Sequence, residues 1–325
     1  MERLTVIGEF CQYLGSDCGF SPHTPRCYGA DLDQFADFLF KGLREKEPDT
    51  VRTSTTEDLS RIVCEAGADN IKSFIDELTR SGYSSATIAR KIASLRTFYE
   101  WALESRRCAS NPMKKIPTYR VTRQLPPTLS TDEVLKLLES PSDTTTQGLR
   151  DRAMLEVLYS AALNVDEVTK LQIGDITFTE SGAKLTIKKR EKSKKDREVL
   201  VDPHTAEAIK DFIASVLNNS KYAGVWAEQK PTKPLLFNKF GNAVSPRCVR
   251  RTVEKYARAA QLRDNISPKT LRHSRGVHLT IVGWAPSEIM EFFGHRSRTG
   301  TTTYRKIIDA NETNAHVAVL SPQGA

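Results

Sequence analysis

The sequence predicts a mainly α-helical protein in two parts: a helical bundle over residues 1–117, a linker over 118–127, and an α+β domain over 128–325 with a small antiparallel β-sheet. Apolar residues recur at helical spacing through most of the chain, and one run, residues 184–188, alternates polar and apolar as strands do. A length of 325 residues is long for one hydrophobic core and comfortable for two.

Thr24 followed by Pro25 is a helix start, because proline lacks an N–H that the first turn would leave unpaired anyway. Behind it Tyr28, Leu32, Phe35 and Leu39 form a stripe. Ser84 or Ser85 opens a second helix with Ile88, Ile92, Leu95, Tyr99 and Ala102 on its apolar face. Arg90 falls opposite that face, with Lys91 and Arg96 at its edges. Asn111 before Pro112 closes the segment, since a residue preceding proline avoids helical geometry. Residues 116–127 hold three prolines, Arg120 and Arg123, and are expected to be extended. Ser130 and Glu133 then form a capping box ahead of Val134, Leu135, Leu137 and Leu138. Two β-prone runs, 184–188 and 198–201, flank a basic segment and describe a hairpin with a long, positively charged tip. After Ile308 the periodicity weakens to a short helix and a tail.

Charged residues make up 27 % and the mean hydropathy is −0.43, values of a soluble globular protein. No apolar run approaches the roughly 20 residues of a membrane span. The N-terminus lacks the basic and apolar regions of a secretory signal, so a cytoplasmic location is expected. The six cysteines form no C-x-x-C pair and read as free thiols, with no structural metal. The net charge of +8 favours a polyanionic partner. Its distribution is more informative: residues 72–123 carry eleven Lys/Arg against four Asp/Glu, and residues 182–197 carry eight against two. Two basic patches on opposite halves look like the footprint of something gripped from both sides. Lys114 and Lys115 belong to the first patch; Lys192, Lys194, Lys195 and Arg197 belong to the second.

Near the C-terminus stand Lys269, Arg272 and His273, then Gly294-His295, then Tyr304 nine residues later. This pattern resembles the tyrosine recombinase family, that of phage integrases and Xer-type proteins. The likeness runs along nearly the whole chain. Residues 5–40 and 84–116 resemble the family's SAM-like core-binding domain, and "LPPTLSTDEVLKLLES" and "GLRDRAMLEVLYSAALNVDEVTKLQIGDI" resemble the opening of its catalytic domain. The resemblance implies a site-specific recombinase that clamps double-stranded DNA between its domains, associates with the nucleoid, and needs neither metal nor nucleotide cofactor. It implies that Tyr304 attacks the phosphodiester to leave a 3′-phosphotyrosine bond, and that Arg272 clamps the phosphate. Lys192 would protonate the leaving 5′ oxygen, and Lys269 and His295 would bind phosphoryl oxygens and assist proton transfer. It also implies four protomers on two DNA sites, or a second recombinase as partner. Taken singly, each residue has an ordinary reading, as packed aromatic, helix cap or surface charge.

One position departs from the pattern. Asn164 stands where the family has the first of two phosphate-clamping arginines, and asparagine brings no charge. Loss of one charged donor in such a site typically costs about 3–4 kcal/mol. Either another cation fills the gap, with Arg275 the leading candidate and Arg296 and Arg298 further ones, or the chain is a DNA-binding regulator without strand exchange. A telomere-resolving or type IB topoisomerase-like enzyme is the remaining alternative.

Overall fold

The computed structural model describes residues 3–46, 54–117, 119, 125–188, 196–222, 231–295 and 299–310. It divides into two compact units, Met1–Arg123 and Gln124–Ala325.

The first unit is helical: α1 (Thr5–Ser16), α2 (His23–Lys46), α3 (Thr56–Glu65), α4 (Ala68–Arg80), α5 (Ser85–Glu104) and a 3₁₀ turn, Pro112–Lys115. Helix α2 begins at His23, so Pro25 lies in its first turn as expected, while Thr24 lies inside the helix instead of capping it. Leu32, Phe35 and Leu39 are buried along α2, as the stripe requires. Ser84 caps α5 by accepting from Thr87 N at 3.3 Å. Ile88, Ile92, Leu95, Tyr99 and Ala102 are all buried. Phe10 meets Phe98 edge-on at 5.4 Å and Trp101 at the same distance, joining α1 to α5.

A charged knot also ties α2 to α5. The Asp31 carboxylate accepts from Lys91 Nζ at 2.8 Å, from Ser94 Oγ at 2.7 Å and from the Arg90 guanidinium. Asp31 and Lys91 are both buried. This corrects the sequence reading of Lys91 as an edge-of-face cation. Its ammonium is spent on a carboxylate sixty residues away, which no helical wheel can show.

The second unit comprises α6 (Thr131–Glu139), α7 (Thr146–Ser160), α8 (Val165–Lys170), β1 (Ile176–Thr179), β2 (Gly182–Ile187), β3 (Arg197–Val201), α9 (Pro203–Leu217), α10 (Pro246–Ala259), α11 (Pro268–Ile281), α12 (Pro286–Phe293) and α13 (Thr299–Ala310). Helix α7 is buried on every side over Ala153–Tyr159, and α9 and α11 pack against it. A helix buried all round belongs at the centre of a domain. The predicted capping box before α6 is present, with Ser130 N donating to Glu133 at 2.8 Å. The three strands form an antiparallel sheet in the order β1-β2-β3, with Leu185 opposite Val199. Ala183, Leu185, Ile187, Val199 and Val201 face the core. The tip of the β2–β3 hairpin and the chain beyond residue 310 lie outside the described residues.

Breaking a buried ion pair by removing one partner costs about 3–5 kcal/mol, whereas exposed pairs are worth about 0–1 kcal/mol. Asp31→Ala should therefore destabilise the first unit by about 3–5 kcal/mol in urea unfolding. Asp33→Ala, which removes the exposed pair of Asp33 with Arg3, should cost under about 1 kcal/mol. Equal losses at the two positions contradict the buried-pair account.

Candidate active site

Helix α11 carries the site. Ser267 caps it by accepting from Thr270 N at 3.3 Å, and Pro268 occupies its first turn. Its inner face is pinned to the start of the unit, where Leu129 N donates to Ser274 Oγ at 2.8 Å and His278 Nε2 donates to Leu129 O at 3.0 Å. That leaves His278 Nδ1 to accept from the Tyr159 hydroxyl at 2.8 Å.

From the other face Arg272 reaches three segments. Its guanidinium donates to the carbonyls of Ala162 and of Phe293, the latter at 2.6 Å, and lies 3.5 Å from Glu167 Oε2. It also stacks over the Phe293 ring, 4.7 Å from the centroid. Ala162 adopts a left-handed backbone, φ 48°, a conformation that costs a residue with a Cβ roughly 1–2 kcal/mol.

Glu167 is shared. Arg197, at the start of β3, donates to both its carboxylate oxygens at 2.7 and 3.0 Å and to Phe292 O at 3.1 Å. Burial pushes the Glu167 carboxyl up, but the Arg197 bonds and charge, the Asn164 N–H and Arg272 outweigh it and leave it below the usual carboxylate range. Gly294, after α12, is left-handed at φ 64°, and a Cβ there would lie 3.1 Å from an Arg197 nitrogen. Both the turn and the arginine demand glycine.

Tyr304, on α13, is 1 % exposed in a small apolar cluster with Val277, Ile289, Phe293 and Ile307. Burial pushes its hydroxyl up to about 12, with Arg272 drawing it partly back. The ring lies directly on α11 at Gly276, where a Cβ would stand 2.4 Å from Tyr304 Cζ and within 2.7 Å of two further ring carbons. It meets the His273 ring edge-on at 5.9 Å and the Phe293 ring at 5.7 Å. His295 meets the Phe293 ring at 5.1 Å with the planes tilted by 52°, and its Nδ1 is buried with no partner among the described residues. Burial first, then Arg272 and Arg197, hold His295 down to about 4.

Arg272, His295 and Tyr304 thus converge. Lys269 is exposed at the start of α11, with its charge felt by His273. Asn164 has a role of its own: it caps α8, its side-chain oxygen accepting from Glu167 N at 3.1 Å while its own N–H donates to Glu167 at 2.9 Å. The N-x-x-E spacing signals that cap, though the sequence reading treats Asn164 only as a missing charge. Arg275 is not a surface cation; it is 4 % exposed and lies over the Tyr159 ring at 5.4 Å, on the side of α11 away from Tyr304. Lys192, Lys194, Lys195, Arg296 and Arg298 lie outside the described residues. In the first unit Arg90 is partly exposed, Lys114 and Lys115 are exposed, and Arg96 and Lys114 line one groove. Sequence assigns Glu167 and His273 no role of their own, and it does not single out Gly276. A lone glycine inside a helical pattern was the available signal for the last.

The sequence profile of the phage integrase family matches residues 127–311, and that of the phage integrase N-terminal SAM-like domain matches residues 7–106. The chain belongs to the phage integrase family. Its relatives in the family include the tyrosine recombinase XerC of Syntrophus aciditrophicus, 32 % identical over 302 residues that cover 93 % of each chain. The tyrosine recombinase XerD of Staphylococcus epidermidis is 27 % identical over 93 % of this chain and 94 % of its own. Among solved structures, XerH bound to a palindromic difH substrate superimposes with a TM-score of 0.67 at 18 % identity, covering 95 % of both chains. A lambda integrase dimer on a core site gives 0.62 at 14 % identity, covering 98 % of this chain and 99 % of that one. At these identities the structural likeness is one of fold.

Gly276→Ala should run against helix propensity. Alanine normally gains roughly 1 kcal/mol over glycine within a helix, but here overpacking against Tyr304 should leave the protein roughly 1–2 kcal/mol less stable. A stabilised variant in thermal unfolding contradicts the contact. Burial, aided by neighbouring cations, holds His273, His278 and His295 down to about 4, against 6.5 in the unfolded chain. The unfolded state binds protons first, so their contribution is complete above about pH 6.5 and is lost as pH falls toward 4. Urea midpoints of the second unit should decline through that window; a flat profile from pH 6.5 to 5.5 counts against it.

Proposed function

We propose that Tyr304 is the nucleophile of this recombinase and Arg272 the clamp of the scissile phosphate. The activity is site-specific recombination of DNA, cut and rejoined through a 3′-phosphotyrosine link. One observation carries the residue assignment: Tyr304 lies against the helix that carries Arg272, in a site where one carboxylate, Glu167, is shared by two guanidiniums. That leaves one positive charge to meet an incoming phosphate, in a partly buried setting where water screens it weakly. Lys269 and His295 bind phosphoryl oxygens, and Lys192 protonates the leaving 5′ oxygen. The chemistry needs no metal ion, because side-chain cations supply the charge.

The partner is double-stranded DNA carrying a specific site, held by the basic hairpin in the second unit and by Arg90, Arg96, Lys114 and Lys115 in the first. The XerH and lambda integrase structures are complexes with DNA, which supports this reading. Four protomers assemble on two sites, alone or with a second recombinase.

Nicked suicide duplexes made from DNA flanking the gene, incubated in a chelator, should yield a denaturant-resistant protein–DNA adduct that Tyr304→Phe abolishes. Tight, salt-sensitive binding with no adduct is the regulator's signature and sinks the enzymatic reading. Asn164→Arg should lose the cap of α8, about 1 kcal/mol of stability, while forming adduct at least as fast as the wild type. A slower adduct would show that no second guanidinium fits beside Arg272.

A further inference from the structure

His273 sits one residue after Arg272 and shares a helical face with Gly276. Both of its ring nitrogens are buried, and neither has a partner among the described residues. His278, on the same helix, is the contrast, with one nitrogen on Tyr159 and the other on Leu129. Folds seldom leave both nitrogens of a buried imidazole unmet unless water, a ligand or a reacting group completes them. The group that His273 faces is Tyr304, held edge-on at 5.9 Å by the absence of a side chain at Gly276.

The charges around it fix its protonation state. Lys269 and Arg272 from α11 and His295 from the turn after α12 surround it, while α13 presents Tyr304. Burial first, then those three groups, hold it down to about 4. At neutral pH the ring is therefore uncharged, with one nitrogen free to accept a proton. The other nitrogenous groups in the site are poorly suited to that task. Lys269 and Arg272 are cations that donate, and the His295 ring meets Phe293 at a tilt, whereas the His273 ring meets Tyr304 itself.

We infer that His273 is a catalytic residue, the base that takes the hydroxyl proton of Tyr304 as the tyrosine attacks phosphorus. The inference rests on Tyr304 being the nucleophile. As the Tyr304 Oη–P bond forms, the hydroxyl proton passes to the acceptor nitrogen of His273. The P–O5′ bond breaks, and the leaving oxygen takes its proton from Lys192. In rejoining, the 5′ hydroxyl attacks, its proton returns to Lys192, and His273 gives its own back to Tyr304. The anionic phosphate, entering beside Lys269 and Arg272, offsets the cations that weaken the base, so its basicity rises when DNA is bound.

The test is single-turnover adduct formation by the wild type, His273→Gln, His273→Ala, Lys192→Ala and Tyr304→Phe, on duplexes selected for wild-type binding. Each duplex is made with an ordinary 5′-bridging oxygen and with 5′-bridging sulfur, a leaving group that needs no proton. Both His273 variants should bind DNA within about twofold of the wild type and form adduct roughly 10²–10⁴-fold more slowly. Sulfur should restore Lys192→Ala and leave the His273 variants slow. Free imidazole should speed His273→Ala, a rescue that a purely structural defect does not give. The acid limb of the wild-type pH–rate profile should vanish in His273→Gln. Adduct formation by His273→Gln within about threefold of the wild type overturns the inference, as does rescue of it by sulfur. A loss of binding that matches the loss of rate makes His273 a DNA ligand and overturns it too. If the wild type itself forms no Tyr304-dependent adduct, the parent reading fails and takes this one with it.

Discussion

The Arg272 guanidinium holds together the segments around the site. Its planar fork reaches the carbonyl that ends the central helix, the carbonyl that ends α12, and the carboxylate that opens α8. A lysine ammonium, a point charge on a flexible stem, could not make those contacts in one plane. Burying such a charge is costly unless it is paired. Here Glu167 divides one negative charge between Arg272 and Arg197. Two guanidiniums from α11 and β3 thus meet around one carboxylate of α8.

Tyr304 is placed by subtraction. Phe293 serves two masters, its ring facing the guanidinium on one hand and the tyrosine on the other. The space for the tyrosine comes from what Gly276 lacks, and the turn beside it from the left-handed freedom of Gly294. The same packing that keeps Tyr304 dry keeps it protonated.

Local signals in the sequence translated well into local structure. The Ser84 cap, the Ser130–Glu133 box, the α5 stripe and the β2–β3 hairpin depend on neighbours a few residues apart. Strand β1 escaped notice because four residues with no buried alternation carry too little pattern. The spacing of Lys269, Arg272, His295 and Tyr304 pointed to one neighbourhood because all four lie on or beside packed helices α11 to α13. Lys91 and Arg275 were misplaced for a shared reason: burial of a long cation is decided by a distant partner, Asp31 in one case and Tyr159 in the other. Asn164 was half read, since its missing charge was visible and its capping bond was not weighed.

Gly276 has a consequence at the level of the gene. A glycine codon changes by one nucleotide either to another glycine codon, to a stop, or to Ala, Ser, Val, Arg, Asp, Glu, Cys or Trp. Every one of those amino acids has a Cβ, and a Cβ here meets the ring of Tyr304. The position beneath the tyrosine therefore has no conservative neighbour in mutational space: a point change there is silent or it is felt.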